Sequence, residues 1–463
     1  MPDTPSSAPG GAPHRFTFLV VLLGQTLSTF GSSLTGFALG VWVYQTTGSV
    51  TRFALISFCT LLPGIALAPI AGAFVDRWNR RWTMILADFG AGLTTLAIAL
   101  LLWAHHLEIW HIYLLMALNS ACNAPQSLAS TASGPLLVPR RQLGRANGLI
   151  QLGLAAAEVG APLVAGILLS LVPLQSIIVV DFLTAILASG SLLFLRIPQP
   201  ERTAETTAAR RPLLTAVGFG WAYIRARPGL FALMLFFTAL NFSRGAVLVL
   251  ITPLVLSFAS AKVLGTVSAI AAMGMVTGGV LYSAWGGPKR QIHAIFGAVL
   301  VYSIMLLLGG LRPNATLIAV TAFLLLSTGP VINGGGQAIW HAKVPPAYQG
   351  RVESMRRLLA WSSLPLASLV AGPLTDSFFE PLLAQGGPLA GTVGRFIGVG
   401  PGRGIGFFFS LLGVGTLVML TCAWLYPRLR RLEVELPDAV LAPGTPGEPA
   451  AVPASLSQEP SPS

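Results

Sequence analysis

The sequence is poor in charged residues. Asp, Glu, Lys and Arg make up only 10% of its 463 residues, whereas hydrophobic residues make up 54% and the mean hydropathy is +0.73. A soluble domain carries about 25% charged residues. A soluble chain of this length could not cover its surface with so few charges. The composition therefore excludes an ordinary soluble protein and indicates a chain surrounded largely by lipid.

Cysteine and acidic residues are scarce as well. Cys59, Cys122 and Cys422 lie inside apolar runs without metal-ligand spacing, so buried free thiols are expected. The sequence has 16 acidic residues (Asp and Glu) and 28 basic residues (Lys and Arg), which gives a net charge of +12. No nucleotide-binding pattern or metal-ligand cluster is visible, so neither a cofactor nor a metal is expected, and the chain is not predicted to be an enzyme.

Apolar runs long enough to cross a membrane are what the chain does contain. A spanning helix needs about 20 predominantly apolar residues. The runs predict an all-α integral membrane protein with twelve transmembrane helices, arranged as two six-helix pseudo-repeats. The predicted spans cover approximately residues 16–43, 52–75, 82–104, 111–136, 146–170, 174–196, 229–256, 262–285, 292–311, 316–340, 353–378 and 404–426.

A polar break in the middle of the chain divides the spans six and six. It begins with PQPERTAETTAARRP and ends with LLTAVGFGWAYIRARP, an amphipathic segment expected to lie on the membrane surface. The predicted organisation is a disordered cytoplasmic N-terminus (1–15), a first six-helix half (16–196), a cytoplasmic linker with an amphipathic helix (197–228), a second half (229–426) and a disordered cytoplasmic tail (427–463).

The distribution of Lys and Arg predicts the orientation, because cytoplasmic loops are enriched in these residues. With the N-terminus in the cytoplasm, the outer segments hold only Arg52, Lys262, Arg312, Arg395 and Arg403, and Arg244 lies inside a span. All other basic residues lie on the cytoplasmic side. The excess positive charge is thus a topology signal, and no nucleic-acid partner is expected. The predicted location is the plasma (inner) membrane, with both termini cytoplasmic.

The two halves also share sequence. Residues 138–166 align without gaps to residues 344–372 and are identical at ten positions, which end in the pair Leu163-Val-Ala-Gly166 and Leu369-Val-Ala-Gly372. The alignment therefore makes span eleven the equivalent, in the second half, of span five in the first. Parallel six-helix repeats are an architecture of secondary transporters, with the substrate site between the halves.

The loop after span two carries a motif of Gly72, Asp76, Arg77, Arg80 and Arg81 in the spacing G-x-x-x-D-R-x-x-R-R. A glycine permits close helix approach, and a carboxylate can meet the positive end of a neighbouring helix. The corresponding loop of the second half, Gly279–Arg290, keeps only Lys289 and Arg290.

This motif, at this place, resembles the signature of the major facilitator superfamily. Within it the chain is similar to the macrolide-efflux-type branch of drug:proton antiporters, through Asn123-Ala-Pro125, LVPRRQLGRANGLIQL (137–152), Gly160 to Gly166, QAIWHAKVPPAYQGRV (337–352) and AGPLTD (371–376). The resemblance implies that the motif stabilises one conformation of the inner gate, with its acid near the start of span eleven. It also implies that spans one, four, seven and ten line a central cavity. Span four lacks the arginine that many drug antiporters carry there.

Polar residues inside the spans mark candidate positions of that cavity. An Asn or Gln facing lipid is unfavourable, so such residues usually face a bundle interior, where helix–helix hydrogen bonding is the alternative to substrate contact. Away from span ends, the carboxamides lie almost entirely on spans one, four, seven and ten. The predicted substrate-cavity residues are Gln25, Ser28, Ser32, Asn119, Asn123, Gln126, Asn241, Arg244, Asn333 and Gln337.

Four ionisable residues lie within spans away from the ends. Glu158 and Arg244 fall near the midplane, and Asp88 and Asp181 lie about 10 Å from either face at 1.5 Å per residue. A carboxyl group in the membrane favours its protonated form, so Glu158 and Asp181 are candidates for proton coupling. Arg244 is a candidate substrate or charge partner, and Asp88 is assigned to the gating motif. A purely structural role remains the alternative for each.

These features predict a proton-coupled exporter of a hydrophobic or amphipathic small molecule, working by alternating access. The expected partners are that substrate, protons and membrane lipids, and a monomer is expected. A lipid or lysolipid mover, an uptake carrier, a transport-inactive sensor and an integral-membrane enzyme are the alternatives, although no catalytic constellation is visible.

Overall fold

The computed structural model describes residues 13–75, 78–139, 142–195, 213–288 and 290–439, and within these ranges every regular element is helical. Twelve spans follow one another, with a short additional helix, Leu213–Arg225, after the sixth. The bounds of the spans are Pro13–Thr47, Val50–Val75, Arg80–Trp103, Ile109–Leu137, Leu143–Leu171, Leu174–Phe194, Pro228–Leu256, Ala261–Trp285, Gln291–Gly309, Ala315–Ser327 continued by Gly329–Lys343, Pro346–Leu374, and Arg403–Leu425.

Eleven of the described helices are long and apolar enough to cross a membrane. Span four, Ile109–Leu137, has the length, with 29 residues, but Asn119, Asn123 and Gln126 interrupt its apolar sequence. Span ten bends at Thr328 because Pro330 has no backbone N–H to continue the helical ladder. The predicted fold class, an all-α membrane protein of two six-helix repeats, is confirmed.

The two ends of the bundle are called here the linker end, where span six finishes and span seven begins, and the far end opposite to it. Within the first half, span one packs on spans five and six, and span four packs on spans two and three. The two halves meet mainly through two pairs of spans, two with eleven and five with eight. These pairs are exchanged by the repeat, so the halves are joined by two equivalent interfaces.

The repeat in sequence is also a repeat in structure. Span four ends before Val138 and span ten ends before Val344, the two positions that the alignment of 138–166 with 344–372 pairs. The spans that follow, five and eleven, are both 29-residue α-helices. Residues aligned by the repeat therefore occupy equivalent places in the two halves.

The start of the segment predicted to be a disordered tail is ordered in the structure. Two short helices, Pro427–Arg430 and Leu432–Glu435, follow span twelve. The buried Lys343 donates to the backbone carbonyls of Glu433 and Leu436 and pairs with Asp438 at 2.9 Å. These contacts hold the segment against the linker end of the second half. The predicted termini before residue 13 and after 439, and the linker between 195 and 213, lie outside the described residues.

Candidate functional site

A cavity of about 990 Å³ lies between the two halves. The first half contributes Phe37, Glu158 and Pro162, and the second half supplies the remaining walls from spans seven to twelve. Its walls are largely apolar, as in pockets that bind drug-sized molecules, which range over about 300–1,000 Å³. The predicted residues that the structure brings to its wall are Asn241, Arg244, Asn333, Gln337 and Glu158.

The far end of the cavity is closed by two glycines that the repeat aligns. A Cβ on Gly166 of span five would lie 2.6 Å from the carbonyl oxygen of Ala261 at the start of span eight. A Cβ on Gly372 of span eleven would lie 2.7 Å from the Cβ of Ala54 in span two. Only glycine allows the backbones to approach this closely. Each half thus contributes one glycine to an equivalent contact with the other.

A carboxylate strengthens one of these contacts. Asp376 lies in the π-helical turn Thr375–Phe379 that continues span eleven, and it accepts hydrogen bonds from the hydroxyl of Ser49 (2.7 Å) and the backbone N–H groups of Val50 (3.1 Å) and Thr51 (2.8 Å). A side chain of the second half therefore caps the N-terminus of span two in the first half. The cap satisfies free N–H groups and places a negative charge at the positive end of the helix.

Replacing Asp376 with alanine is expected to open the far end. A helix cap is worth about 0.5–2 kcal/mol, which corresponds to a shift of about 2- to 30-fold in the balance between closed and open far ends. The measurement is the rate at which a membrane-impermeant maleimide, added on the far-end side, alkylates a cysteine placed at Thr252 on the cavity wall.

Asn314→Ala is the matched control. Asn314 caps the far end of span ten through Thr316 and Leu317 but makes this cap within one half. Its loss should leave the alkylation rate unchanged. Equal acceleration by both variants would contradict a role for Asp376 in joining the halves.

At the linker end, three glycines of the spans that join the halves make no comparably close contact with a described residue. A Cβ on Gly72, Gly148 or Gly350, near the linker ends of spans two, five and eleven, would meet no atom within 4 Å. Glu353, Arg356 and Arg357, from the first turns of span eleven, line the cavity on this side. The cavity thus reaches the linker end of span eleven in this conformation.

The charged group at the linker end of the cavity was not among the residues predicted from the sequence. Glu353 accepts hydrogen bonds from the guanidinium groups of Arg356 (2.6 and 2.7 Å) and Arg357 (2.8 Å). The E-x-x-R-R spacing, which places the three on one helix face, was the available signal. With two arginines against one glutamate, the mouth of the cavity carries net positive charge.

Deeper in the cavity two unlike charges have no charged partner among the described residues. The Glu158 side chain is exposed to the cavity, and its carboxylate forms no hydrogen bond or ion pair with any of them. The only described hydrogen bond of the Arg244 side chain is a long one, 3.4 Å, to the Oδ1 of Asn333. Such charges are costly within a membrane unless they are hydrated or paired. Both are free to meet a ligand.

The predicted cavity residues of the first half lie elsewhere in this conformation. The amide of Gln25 donates to Asp88 (2.8 Å) and accepts from Gln126. The amide of Asn123 donates to Asn119, whose own amide donates to Thr94 (2.9 Å). These carboxamides form a network inside the first half, because buried polar groups within reach of one another pair. Substrate contact by Gln25, Ser28, Ser32, Asn119, Asn123 and Gln126 stays a prediction.

Asp181 belongs to a second buried polar group of the first half. It is 1% exposed, and one carboxyl oxygen accepts from the hydroxyl of Ser32 at 3.0 Å. The other oxygen is buried without a hydrogen-bond partner among the described residues. The carboxyl group therefore has no access to the cavity in this conformation, and its proton-coupling role stays a prediction.

The gating motif is described only in part, because Asp76 and Arg77 lie outside the described residues. The Asn79 side chain caps span three, which begins at Arg80. The guanidinium group of Arg81 donates to the backbone carbonyls of Leu192 and Leu193 at the end of span six. Asp88 bonds to Gln25 rather than to Arg81. Arg81 thus attaches the start of span three to its own half in this conformation.

Two related six-helix halves around a shared central cavity define a membrane transporter. Residues 21–367 match the Major Facilitator Superfamily, and the chain belongs to this family.

Similar proteins agree with this class. The chain is 26% identical to macrolide efflux protein A of Streptococcus pyogenes over 78% of its length and 90% of that protein. It is 23% identical to the multidrug efflux pump Tap of Mycobacterium bovis, over 79% of this chain and 88% of that protein. A solved structure of a bacterial homologue of the human lysosomal transporter Spinster matches with a TM-score of 0.66 at 16% identity, covering 95% of this chain and all of that one.

Proposed function

We propose that this protein is a secondary active exporter of hydrophobic or amphipathic small molecules, driven by proton entry. The observation that carries the proposal is the cavity of about 990 Å³ between the halves, which reaches the linker end and has close contacts between the halves at its far end. With the basic linker end in the cytoplasm, such a cavity is loaded from inside the cell. A plasma-membrane transporter with both termini cytoplasmic, acting as a monomer, fits a cavity built entirely within one chain.

The chemistry of the walls supports an amphipathic cargo. Phe237, Val247 and Trp361 supply apolar surface, while Asn241 and Asn333 offer hydrogen bonds. Drug-sized ligands are held by this combination of broad apolar contact and a few polar groups. Two of the similar proteins are named as efflux proteins, one for macrolides and one for multiple drugs. Export of an amphipathic cargo agrees with these names and with the drug resistance that efflux confers.

Alternating access supplies the transport step. In the state described, the Gly166 and Gly372 contacts and the Asp376 cap close the far end. In the opposite state the far end would open and the linker end would close, with Asp76 of the gating motif near the start of span eleven. A ligand or proton shifts this equilibrium only by its difference in affinity for the two states.

Glu158 is the acid proposed to make the cycle depend on protons. It comes from the first half, faces the second half across the cavity and has no cationic partner among the described residues. A proton that enters from the far-end side would neutralise the Glu158 carboxylate before the halves close around the empty cavity. Release of that proton into the cytoplasm would restore the charge as substrate binds. Arg244, on the opposite wall, is the proposed contact for an electron-rich group of the cargo.

The test is accumulation of labelled drugs and metabolites in a host that lacks its own exporters. Expression should lower the accumulation of at least one amphipathic drug about tenfold, and a protonophore should restore it. Higher accumulation on expression would instead identify an uptake carrier, and protection against lysolipids alone would identify a lipid mover. A ligand that binds without flux would favour a sensor.

A further inference from the structure

A second, smaller cavity lies away from the transport pathway. It measures about 130 Å³ and is lined by Arg290, His293, Arg430, Arg431, Glu433 and Val434. Arg290 is the N-cap of span nine, and the other basic pair ends the short helix that follows span twelve. The site is therefore formed where the linker end of span nine meets the segment after span twelve.

The site is held in place by specific bonds. The Glu433 carboxylate accepts from the backbone N–H groups of Gln291 (3.0 Å) and Ile292 (3.1 Å), the first residues of span nine. The Lys343 contacts described above fix the same segment from its other side. Arginines carried by this segment thus have defined positions and are not a loose basic tail.

The cavity has an excess of positive charge. The guanidinium groups of Arg290, Arg430 and Arg431 make no hydrogen bond or ion pair with any described residue, and the charge of Glu433 is directed at the start of span nine. His293 adds a ring nitrogen, Nδ1, that is buried without a described partner. Three guanidinium groups around one small space repel one another, and Glu433 supplies only one negative charge, so the space favours a further anion. Guanidinium groups match the geometry of a phosphate.

The surroundings indicate that this phosphate belongs to a lipid. Trp424 and Tyr426 mark the last turn of span twelve, as aromatic residues do at a membrane interface. Trp424 contacts both the ring of His293 and the guanidinium group of Arg430. Leu425 is 70% exposed and Val434 is 74% exposed beside the cavity. The cavity has room for a phosphate group, and the adjoining apolar surface can accept acyl chains outside it.

We propose that this cavity binds the phosphate headgroup of an anionic phospholipid of the leaflet at the linker end. Basic pockets between membrane helices on the cytoplasmic side bind such headgroups. A bound lipid would join span nine to the segment after span twelve and so stabilise the second half. This site does not depend on the proposed export activity, since no cavity-lining residue of the transport pathway takes part in it.

The experiment measures lipid binding to the purified full-length protein in a neutral detergent. Phosphatidylglycerol should raise the Tm of the wild-type protein, and phosphatidylcholine should not. The double variant Arg430→Gln/Arg431→Gln should require at least about tenfold more phosphatidylglycerol for the same rise. Arg428→Gln is the matched control, because Arg428 lies on the same short helix, is exposed and does not line the cavity; its response should equal that of the wild type.

Further measurements distinguish a lipid phosphate from free phosphate and cover the case in which the double variant does not fold. Inorganic phosphate should give no comparable rise in Tm; a rise equal to that with lipid would overturn the lipid assignment in favour of a soluble anion. If the double variant does not fold, Arg290→Gln tests the same cavity from span nine and should weaken the lipid response. Wild-type lipid affinity in a folded cavity variant, or an equal response to phosphatidylcholine, would overturn the proposal.

Discussion

Replacing Gly166 with valine is expected to abolish transport while the protein still folds and reaches the membrane. The new Cβ would lie 2.6 Å from the Ala261 carbonyl oxygen and 3.3 Å from the Cα of Gly265. These are backbone atoms, so no side-chain rotation relieves the clash. Overpacking costs about 1–3 kcal/mol, enough to reduce the closed far end about 5- to 160-fold relative to the open one. Gly372→Val should act in the same way on spans two and eleven.

The conformational part of this prediction is measured by the distance between spin labels at Ser170 and Lys262, on the far ends of spans five and eight. In a background without Cys59, Cys122 and Cys422, the distribution for Gly166→Val should move to longer distances. Gly415→Val is the control, because a Cβ at this exposed glycine of span twelve meets open space. A wild-type distance distribution in Gly166→Val, with transport intact, would show that this contact does not control access.

Glu158→Gln is expected to eliminate proton-driven efflux while leaving expression intact. The glutamine keeps the size and hydrogen-bonding capacity of the side chain but cannot exchange a proton. Because the cavity wall is otherwise unchanged, substrate binding and substrate-for-substrate exchange should persist. The measurement compares active efflux with exchange in vesicles, and a loss of at least about 100-fold in the first alone is expected for an essential proton carrier.

Two further variants make this result specific. Glu435→Gln removes an exposed carboxylate at the linker end and should transport as the wild type does. Asp181→Asn tests the other candidate acid, which is buried beside Ser32. Unchanged efflux in Glu158→Gln, together with its loss in Asp181→Asn, would transfer the coupling role to Asp181.

The fold could be predicted from the sequence because its determinants are local or repeated. The length of the apolar runs predicts the spans, and the repeated Leu-Val-Ala-Gly segment shows that span five and span eleven are equivalent in the two halves. The structure adds why the repeat ends in glycine: Gly166 and Gly372 make equivalent close contacts between the halves. A single sequence shows that Gly166 and Gly372 are equivalent positions, but it does not show which helix of the other half each glycine contacts.

The structure brings Glu158 and the predicted residues of the second half to the cavity, whereas the other predicted residues of the first half lie elsewhere in this conformation. Asn241 and Arg244 lie three residues apart and so share a helix face, but such spacing does not say whether a polar face meets a cavity or another polar helix. Gln25 and Asn119 meet partners inside the first half. Asp376 was not predicted as a cap because its contact with span two joins residues 325 to 327 positions apart and depends on a π-helical turn.

Transport by inside-out membrane vesicles tests the central claim most directly. The vesicles contain the protein, a radiolabelled macrolide is supplied outside, and an acidic interior is imposed without other energy. The account predicts uptake against the macrolide gradient that stops when a protonophore collapses the pH difference, and that is absent with Glu158→Gln. Uptake that ignores the pH difference, or none for any amphipathic compound that binds the cavity, would contradict it.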